Sequence, residues 1–146
     1  MMTFRIIGCV TRGGQMAESD NVALIGRIYE AFGRGDIGYI IDQLTDDVRW
    51  VTHLEPIVPW SGDYSGKASV PKFFDAIANS VQTTAFTPRE FIAQADTVVS
   101  MGEYGCTVNA TGKTSLTPWV FIWKLRDGRV TSYEQFHDPA LSDAFR

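Results

Sequence analysis

The residues of this chain that are best suited to chemistry lie near its C-terminus. The segment from Gly128 to Asp138 is typical of a turn followed by a strand that ends in a carboxylate. Because side chains alternate between the two faces of a strand, Glu134, Phe136 and Asp138 share one face. Two carboxylates beside an aromatic ring do not suit a purely apolar core. We therefore predict that this face borders a cavity in which a carboxylate is useful.

Asp138 is the first candidate for a catalytic residue. Burial in an apolar pocket raises the pKa of a carboxyl group and makes it a better general base. The alternative role is structural, because an Asp before Pro139 also caps the turn that follows a strand. His53 is the candidate acid–base partner of Asp138, and its alternative is an exposed histidine at a strand end. His137 precedes Asp138 on the strand, so its side chain points to the opposite face, and we expect it to lie outside the pocket.

Aromatic residues are abundant, with 4 Trp, 5 Tyr and 9 Phe. Large rings fill protein cores, and they also line pockets for flat apolar ligands. The candidates for binding a substrate are Tyr29, Trp50, Tyr104, Trp119, Phe121 and Phe136. Periodicity does not decide which of them line a pocket and which fill the core. The mid-strand acids Glu103 and Glu134 are expected to pair with basic residues across strands.

Composition excludes several classes of function. The chain has 146 residues and a net charge of -4 without a run of Lys or Arg, which argues against nucleic-acid binding. No apolar run approaches the roughly 20 residues of a membrane span. Cys9 and Cys106 form no CxxC motif, and His53 and His137 have no zinc spacing. We expect a cytoplasmic protein that uses no metal and no cofactor.

Three helices are expected to precede most of the strands. Ser19 or Asp20 is the predicted cap of the first helix, Asp36 caps the second, and Ser69 caps a third with Pro71 in its first turn. A strand from Val48 to His53 lies between the second and third helices. The loop at 54–66 carries Trp60 and Tyr64, and is either a lid or a surface loop held down by its rings.

The second half of the chain contains only strand signals. Strands are predicted over 87–95, 98–110, 115–125 and 130–138, and the last two are joined by a hairpin turn at Asp127-Gly128. Helices segregated from an antiparallel sheet indicate an α+β fold. Both faces of the strand at 115–125 are apolar, so we expect the helices to cover one face and a second copy to cover the other in a homodimer. Residues 1–15 are expected to form an N-terminal extension to one domain at 16–146.

The order of these elements and several short motifs resemble the NTF2-like superfamily, a cone-shaped α+β fold, and within it the SnoaL-like and ketosteroid-isomerase-related proteins. The motifs are weak individually and specific jointly. They are LIGRIYEAF at 24–32 with Gly35-Asp36, LTDDVRW at 44–50, YSGK at 64–67, LRDGRV at 125–130 and FHDPAL at 136–141.

The resemblance implies a curved mixed sheet, mainly antiparallel, that encloses a pocket with the helices. Matching the functional positions of the steroid isomerases onto this chain gives Ile28, Thr52 and either Trp119 or Val120, so none of their three roles is kept. Tyr29 lies one residue from the place of the isomerase Tyr. In SnoaL-like cyclases and epoxide hydrolases an acid at the end of the last strand does the work, and Asp138 matches that position.

Two functions follow from this pattern. The first is a cofactor-independent isomerase, cyclase or hydrolase that acts on a small apolar molecule by acid–base chemistry with Asp138. The second is a small-molecule-binding or assembly module of the same fold that performs no chemistry. The position of the Asp138 carboxylate, in a cavity or in solvent, distinguishes them.

Overall fold

A computed structural model describes residues 3–6 and 17–146. The chain forms a curved, open sheet with helices packed against its inner face. The strands are β1 (Thr3–Ile6), β2 (Leu44–His53), β3 (Gly62–Ser65), β4 (Val81–Gln94), β5 (Thr97–Val108), β6 (Thr114–Arg126) and β7 (Arg129–His137). The helices are α1 (Glu18–Gly33), α2 (Ile37–Asp42), α3 (Val70–Ser80) and α4 (Ala140–Asp143), with a 3-10 turn at Lys67–Ser69.

The seven strands lie in the order β1-β4-β5-β6-β7-β2-β3. The pairs β1–β4 and β2–β7 are parallel, whereas the other neighbours are antiparallel. This confirms the predicted α+β fold with a mixed, mainly antiparallel sheet. Most of the predicted extension lies outside the described residues. Within it, Thr3–Ile6 pair with 90–93 of β4, and the domain boundary at residue 16 stays a prediction.

The helices begin and end largely where local chemistry predicts. Asp36 caps α2, because its Oδ1 accepts a hydrogen bond from the Tyr39 amide at 3.1 Å. Gly35 has a positive φ of 74°, which allows the turn between α1 and α2. The predicted cap of α1 is wrong, since this helix already begins at Glu18 after Ala17, which makes no side-chain cap bond. Ser69 precedes α3 but bonds the Ser65 carbonyl instead of the helix.

The loop at 54–66 is held down by an aromatic ring. Trp60 is 1% exposed and Val58 is fully buried. Thr52 on β2 fixes the loop, because its hydroxyl lies 2.9 Å from the Trp60 carbonyl oxygen and accepts a hydrogen bond from the Gly62 amide at 2.7 Å. Residues 62–65 of the predicted loop form the edge strand β3. The chain therefore seats Trp60 in the core.

Alternation along β6 separates the core from the outer surface. Trp119, Phe121 and Trp123 point inward and are at most 5% exposed, whereas Leu116 and Val120 on the other face are exposed. Glu103 on β5 pairs with Arg89 on β4, which is the cross-strand pairing predicted for it. In the described part of the chain, none of the helices is long and apolar enough to cross a membrane.

Candidate functional site

A cavity lies between the helices and the inner face of the sheet. Helices α1 and α3 contribute Ile28, Tyr29, Phe32, Phe73, Phe74 and Ile77 to its wall. The sheet and the loop before β3 contribute Trp50, Trp60, Phe86, Tyr104, Phe121 and Trp123. The amphipathic helices and the inward-facing side chains of the strands therefore build a wall made almost entirely of rings.

Strand β7 supplies the polar part of this wall through Tyr133, Gln135 and His137. The Gln135 Nε2 donates a hydrogen bond to the Tyr133 hydroxyl at 2.5 Å. The Gln135 Oε1 and the His137 Nδ1 are buried, and neither has a partner among the protein atoms that the structure describes. The Trp50 Nε1, in the same wall, is a third such atom. Buried polar groups are normally hydrogen-bonded, so these atoms in a mainly aromatic cavity indicate a place for a polar ligand group.

His137 is neutral in this cavity. Burial among aromatic rings lowers the pKa of its imidazole from 6.5 to about 4, because the charged form loses its hydration. The ring lies edge-on to Tyr104 and Phe121, with centroids 5.8 and 5.9 Å away. A neutral imidazole has one nitrogen that donates and one that accepts, so it can orient a hydroxyl or a carbonyl group at pH 7.

The two cavity tyrosines outside β7 have their hydroxyl groups occupied. The Tyr29 hydroxyl accepts from the Trp123 Nε1 at 2.8 Å and hydrogen-bonds with the buried Ser100 Oγ. The Tyr104 hydroxyl lies 2.8 Å from the Thr83 Oγ1. Burial raises the pKa of both phenols above its usual value of 10.0, so they stay protonated. Tyr29 and Tyr104 therefore serve the cavity mainly as ring surfaces.

Four of the six predicted substrate-binding residues line the cavity: Tyr29, Trp50, Tyr104 and Phe121. Trp119 lies in a second layer, where its ring stacks on Phe121 with centroids 3.9 Å apart and on Phe86 at 5.2 Å. It supports the cavity wall without lining it. Trp60 lies in the loop before β3, as predicted, and is also part of the wall.

The face of β7 that carries Glu134, Phe136 and Asp138 is the outer face, so the prediction that it borders a cavity is wrong. Phe136 is 38% exposed and stacks on His53 with centroids 4.4 Å apart. The His53 Nε2 lies 3.3 Å from the Glu134 Oε1. His53, Glu134 and Phe136 form a surface cluster and are absent from the cavity wall.

Asp138 is exposed, and its Oδ1 accepts a hydrogen bond from the Ala140 amide at 2.8 Å. This is the turn-capping geometry that was the alternative to a general base. Neither Asp138 nor His53 lines the cavity. Their catalytic roles therefore lose the geometric argument on which they were predicted, and His137, which was expected outside the pocket, lies in its wall.

A β-bulge explains why the faces of β7 are reversed relative to the prediction. Leu125 pairs with Val130, but Lys124 pairs with Ser132, so Thr131 is an extra residue on β7. A regular hairpin would place Glu134 and Phe136 opposite Phe121 and Trp119. The extra residue shifts the register by one, which moves every later side chain to the opposite face.

The shifted register brings the functional candidates together. Phe121 pairs with Gln135 and Trp119 pairs with His137, and residues directly opposite on antiparallel strands share a face. The signal in the sequence that favours this orientation is the charge of Glu134 and Asp138, which suits the solvent-facing side of the strand, whereas Phe136 between them argues for the opposite orientation. Within residues 3–6 and 17–146, His, Cys, Asp and Glu side chains form no group of three that could hold a metal ion.

Comparisons with known proteins agree with this architecture. A crystal structure of an NTF2-like protein from Burkholderia xenovorans is 28% identical, covers 90% of this chain and 99% of that chain, and has a TM-score of 0.80. The structure of TerC co-crystallised with polyporic acid is 27% identical, covers 86% of this chain and 98% of that chain, and has a TM-score of 0.75.

An NTF2-like protein of unknown function from Burkholderia pseudomallei is 25% identical, with a TM-score of 0.77 over 86% of this chain and 95% of that chain. None of the curated proteins matches the chain. The sequence profile of the SnoaL-like domain matches residues 25–133, which include the second half of α1, all of α2 and α3, and most of the sheet. The chain therefore belongs to the SnoaL-like family, within the NTF2-like superfamily.

Proposed function

We propose that this protein binds a small, flat, mostly apolar molecule in its inner cavity, with a hydroxyl or carbonyl group of that molecule facing Gln135 and His137. The observation that carries the proposal is the pair of neighbouring inward residues on β7 whose buried polar atoms, Gln135 Oε1 and His137 Nδ1, have no partner among the described residues, in a wall that is otherwise mostly aromatic and aliphatic. An unpaired buried polar atom lowers stability by about 1–3 kcal/mol. A bound ligand that hydrogen-bonds with these atoms removes this loss of stability.

A similar protein supports this class of ligand. TerC, which is 27% identical to this chain, was co-crystallised with polyporic acid. Polyporic acid is therefore the first ligand to test.

Replacing His137 with Phe is expected to weaken polyporic acid binding about tenfold while leaving the fold intact. The ring volume is nearly kept, and no protein hydrogen bond is lost, because the His137 Nδ1 has no partner among the described residues. A lost hydrogen bond to the ligand is worth about 1–1.5 kcal/mol, which is close to a factor of ten in affinity. Quenching of tryptophan fluorescence on titration measures the dissociation constants.

The matched control is Asp138→Asn at the neighbouring position. Asn also caps turns, and Asp138 lies outside the cavity, so affinity and melting temperature are expected to stay at the wild-type values. Unchanged affinity in His137→Phe, or a large loss of affinity in Asp138→Asn, would contradict the proposed site.

A second candidate function is acid–base catalysis without a cofactor, as in an isomerase, cyclase or hydrolase. The observation that favours it is the ring nitrogen of His137 in the cavity wall, which would replace Asp138 as the proton acceptor. The low pKa of His137, about 4, makes its imidazole a weak base, and general bases work best with a pKa near the working pH. Binding is therefore the better-supported function.

Deuterium exchange tests the catalytic candidate. If His137 removes a proton from the carbon next to a bound carbonyl and returns it, the methyl group of acetophenone exchanges in D2O faster with the protein than with His137→Phe. Equal exchange rates, followed by NMR, would eliminate this role.

We also propose that the outer sheet face forms a homodimer interface. Leu116, Val120 and Phe136 are 64%, 36% and 38% exposed, and Val120 and Phe136 are cross-strand partners. Large apolar side chains that are exposed together on one sheet face are characteristic of an interaction site. A charge in the middle of such an interface separates the subunits, because it cannot be buried without a partner.

Leu116→Glu is therefore expected to convert a dimer of 16.2 kDa subunits into monomers in sedimentation velocity at micromolar concentration. Ala78→Glu, on the exposed side of α3, serves as the control and should stay dimeric. A wild-type protein that sediments as a monomer would contradict the interface.

A further inference from the structure

The cavity as it stands is too small for an aromatic ligand. Its free volume is about 50 Å3, whereas a dry protein cavity that admits benzene has about 150 Å3. A ring-sized ligand therefore enters only if side chains of the wall move. Protein interiors are closely packed, so such movement is easiest where the wall borders empty space.

A surface groove provides that space. It runs between the end of α1, helix α3 and the first half of β4, and its free volume is about 560 Å3. Gly33, Ala78, Thr84 and Ala85 are among its lining residues. The groove and the cavity are separated by side chains that line both, namely Phe32, Phe74, Ile77 and Phe86.

Phe32 and Phe86 are suited to move among these shared side chains. Their rings meet edge-to-face with centroids 5.1 Å apart, and both are only partly buried. Phe32 lies in the last turn of α1, next to Gly33 at the helix end. Phe86 follows a β-bulge between Thr83 and Ala85. Both rings border the groove, so each has space to rotate into it. When Phe86 rotates, it leaves its stack on Trp119, whose ring centroid lies 5.2 Å away.

We infer that the groove and the inner cavity are two halves of one ligand site, with Phe32 and Phe86 as the gate between them. The inner half takes an aryl group and places its carbonyl or hydroxyl group at Gln135 and His137. The outer half takes an apolar extension of the same molecule along Ala78 and Ala85. The ligand class is thus an elongated aryl ketone or phenol with an apolar tail. This inference rests on the proposed function and extends it to the shape of the ligand.

Charge and polarity along the groove favour an apolar tail. Ala78 and Ala85 present methyl groups, and the hydroxyl of Thr83 is already bonded to Tyr104. In the described part of the chain, no ionisable side chain lines the groove. Burial of apolar surface is therefore the main interaction that the groove offers.

A series of phenyl alkyl ketones, from acetophenone to octanophenone, tests the inference. In wild type, affinity measured by tryptophan quenching is expected to rise about fourfold for each methylene that the groove buries. Ala78→Trp fills the groove from an exposed position and so leaves the fold intact. In this variant the gain per methylene should disappear, whereas the affinity for acetophenone should stay within a factor of two.

Association rates test the gate separately. Phe86→Leu shortens one gate side chain while keeping an apolar group, and is expected to speed the association of octanophenone at least severalfold in stopped-flow measurements. Phe136→Leu, on the outer sheet face, is the matched control and should keep the wild-type rate. Equal rates in wild type and Phe86→Leu would overturn the gate.

The failures of the two proposals are distinguishable. If acetophenone binds and His137→Phe weakens it, but longer ketones bind no tighter, the cavity is the binding site and the groove is not. The groove is likewise excluded if Ala78→Trp keeps the full gain per methylene. If no ketone binds wild type, both proposals fail for this ligand class.

Discussion

Gly102→Ala is expected to lower the free energy of unfolding by about 3 kcal/mol or more. A Cβ at this position of β5 would lie 2.9 Å from the Pro88 Cα and within 3.0 Å of the Thr87 carbonyl oxygen, and both of these are backbone atoms. It would also lie 2.5 Å from Cζ2 of Trp119. Strand β4 and the Trp119 ring therefore cannot both keep their positions next to β5. Urea unfolding of both proteins measures the loss.

Gly26→Ala is the control for this substitution. Gly26 lies inside α1, and an added Cβ would meet nothing within 4 Å. Ala is favoured over Gly in a helix by about 1 kcal/mol, so this variant is expected to be more stable than wild type. If Gly102→Ala unfolded at the wild-type urea concentration, the tight packing of Trp119 against β5 would be refuted.

The stability of the protein is expected to fall by about 3 kcal/mol between pH 6.5 and pH 4 through His137 alone. Burial lowers the pKa of this imidazole from 6.5 to about 4. Above pH 6.5 the imidazole is neutral in both the folded and the unfolded chain. Between these values the unfolded chain binds a proton that the folded chain excludes, so acid favours unfolding. Below pH 4 both states are protonated and the dependence ends.

His137→Phe isolates this contribution. Carboxylates also titrate as the pH falls, but they are the same in both proteins and cancel in the difference between the two stability curves. We expect the variant to gain stability relative to wild type as the pH decreases from 6.5 to 4, as measured by urea unfolding at a series of pH values. Parallel curves for the two proteins would contradict the burial of a neutral imidazole.

Local chemistry in the sequence was sufficient for much of the fold. Asp36 caps α2 as predicted, and Asp127 and Gly128 both have the positive φ that a tight hairpin needs. The start of α1 was not predictable in this way. The Glu18 carboxylate accepts a hydrogen bond from the Ala95 amide at 2.8 Å. The first residue of α1 thus contacts a turn that is distant in sequence, which local cap preferences do not reveal.

The sequence predicted aromatic residues of the candidate site but not its polar residues, Gln135 and His137. Tyr29, Trp50, Tyr104 and Phe121 are apolar enough that burial beside any cavity suits them, whichever register β7 adopts. The polar candidates were chosen from the composition of one face of β7 and from the family resemblance, whereas the face that points inward depends on the register of one hairpin. The extra residue Thr131 exchanges the two faces of β7, and nothing in the local sequence marks that bulge, because Thr131 and Ser132 suit a regular strand equally well.

The central claim is that ligands bind inside the cone against His137, and the chain contains its own control for it. The protein has two histidines: His137 in the cavity wall and His53 on the outer face. Titration with polyporic acid, followed through the imidazole signals of both residues by NMR, is therefore the most direct test. We predict that the His137 signals shift in proportion to ligand bound while those of His53 stay in place. Binding that shifts His53, or that leaves His137 unchanged, would contradict the claim.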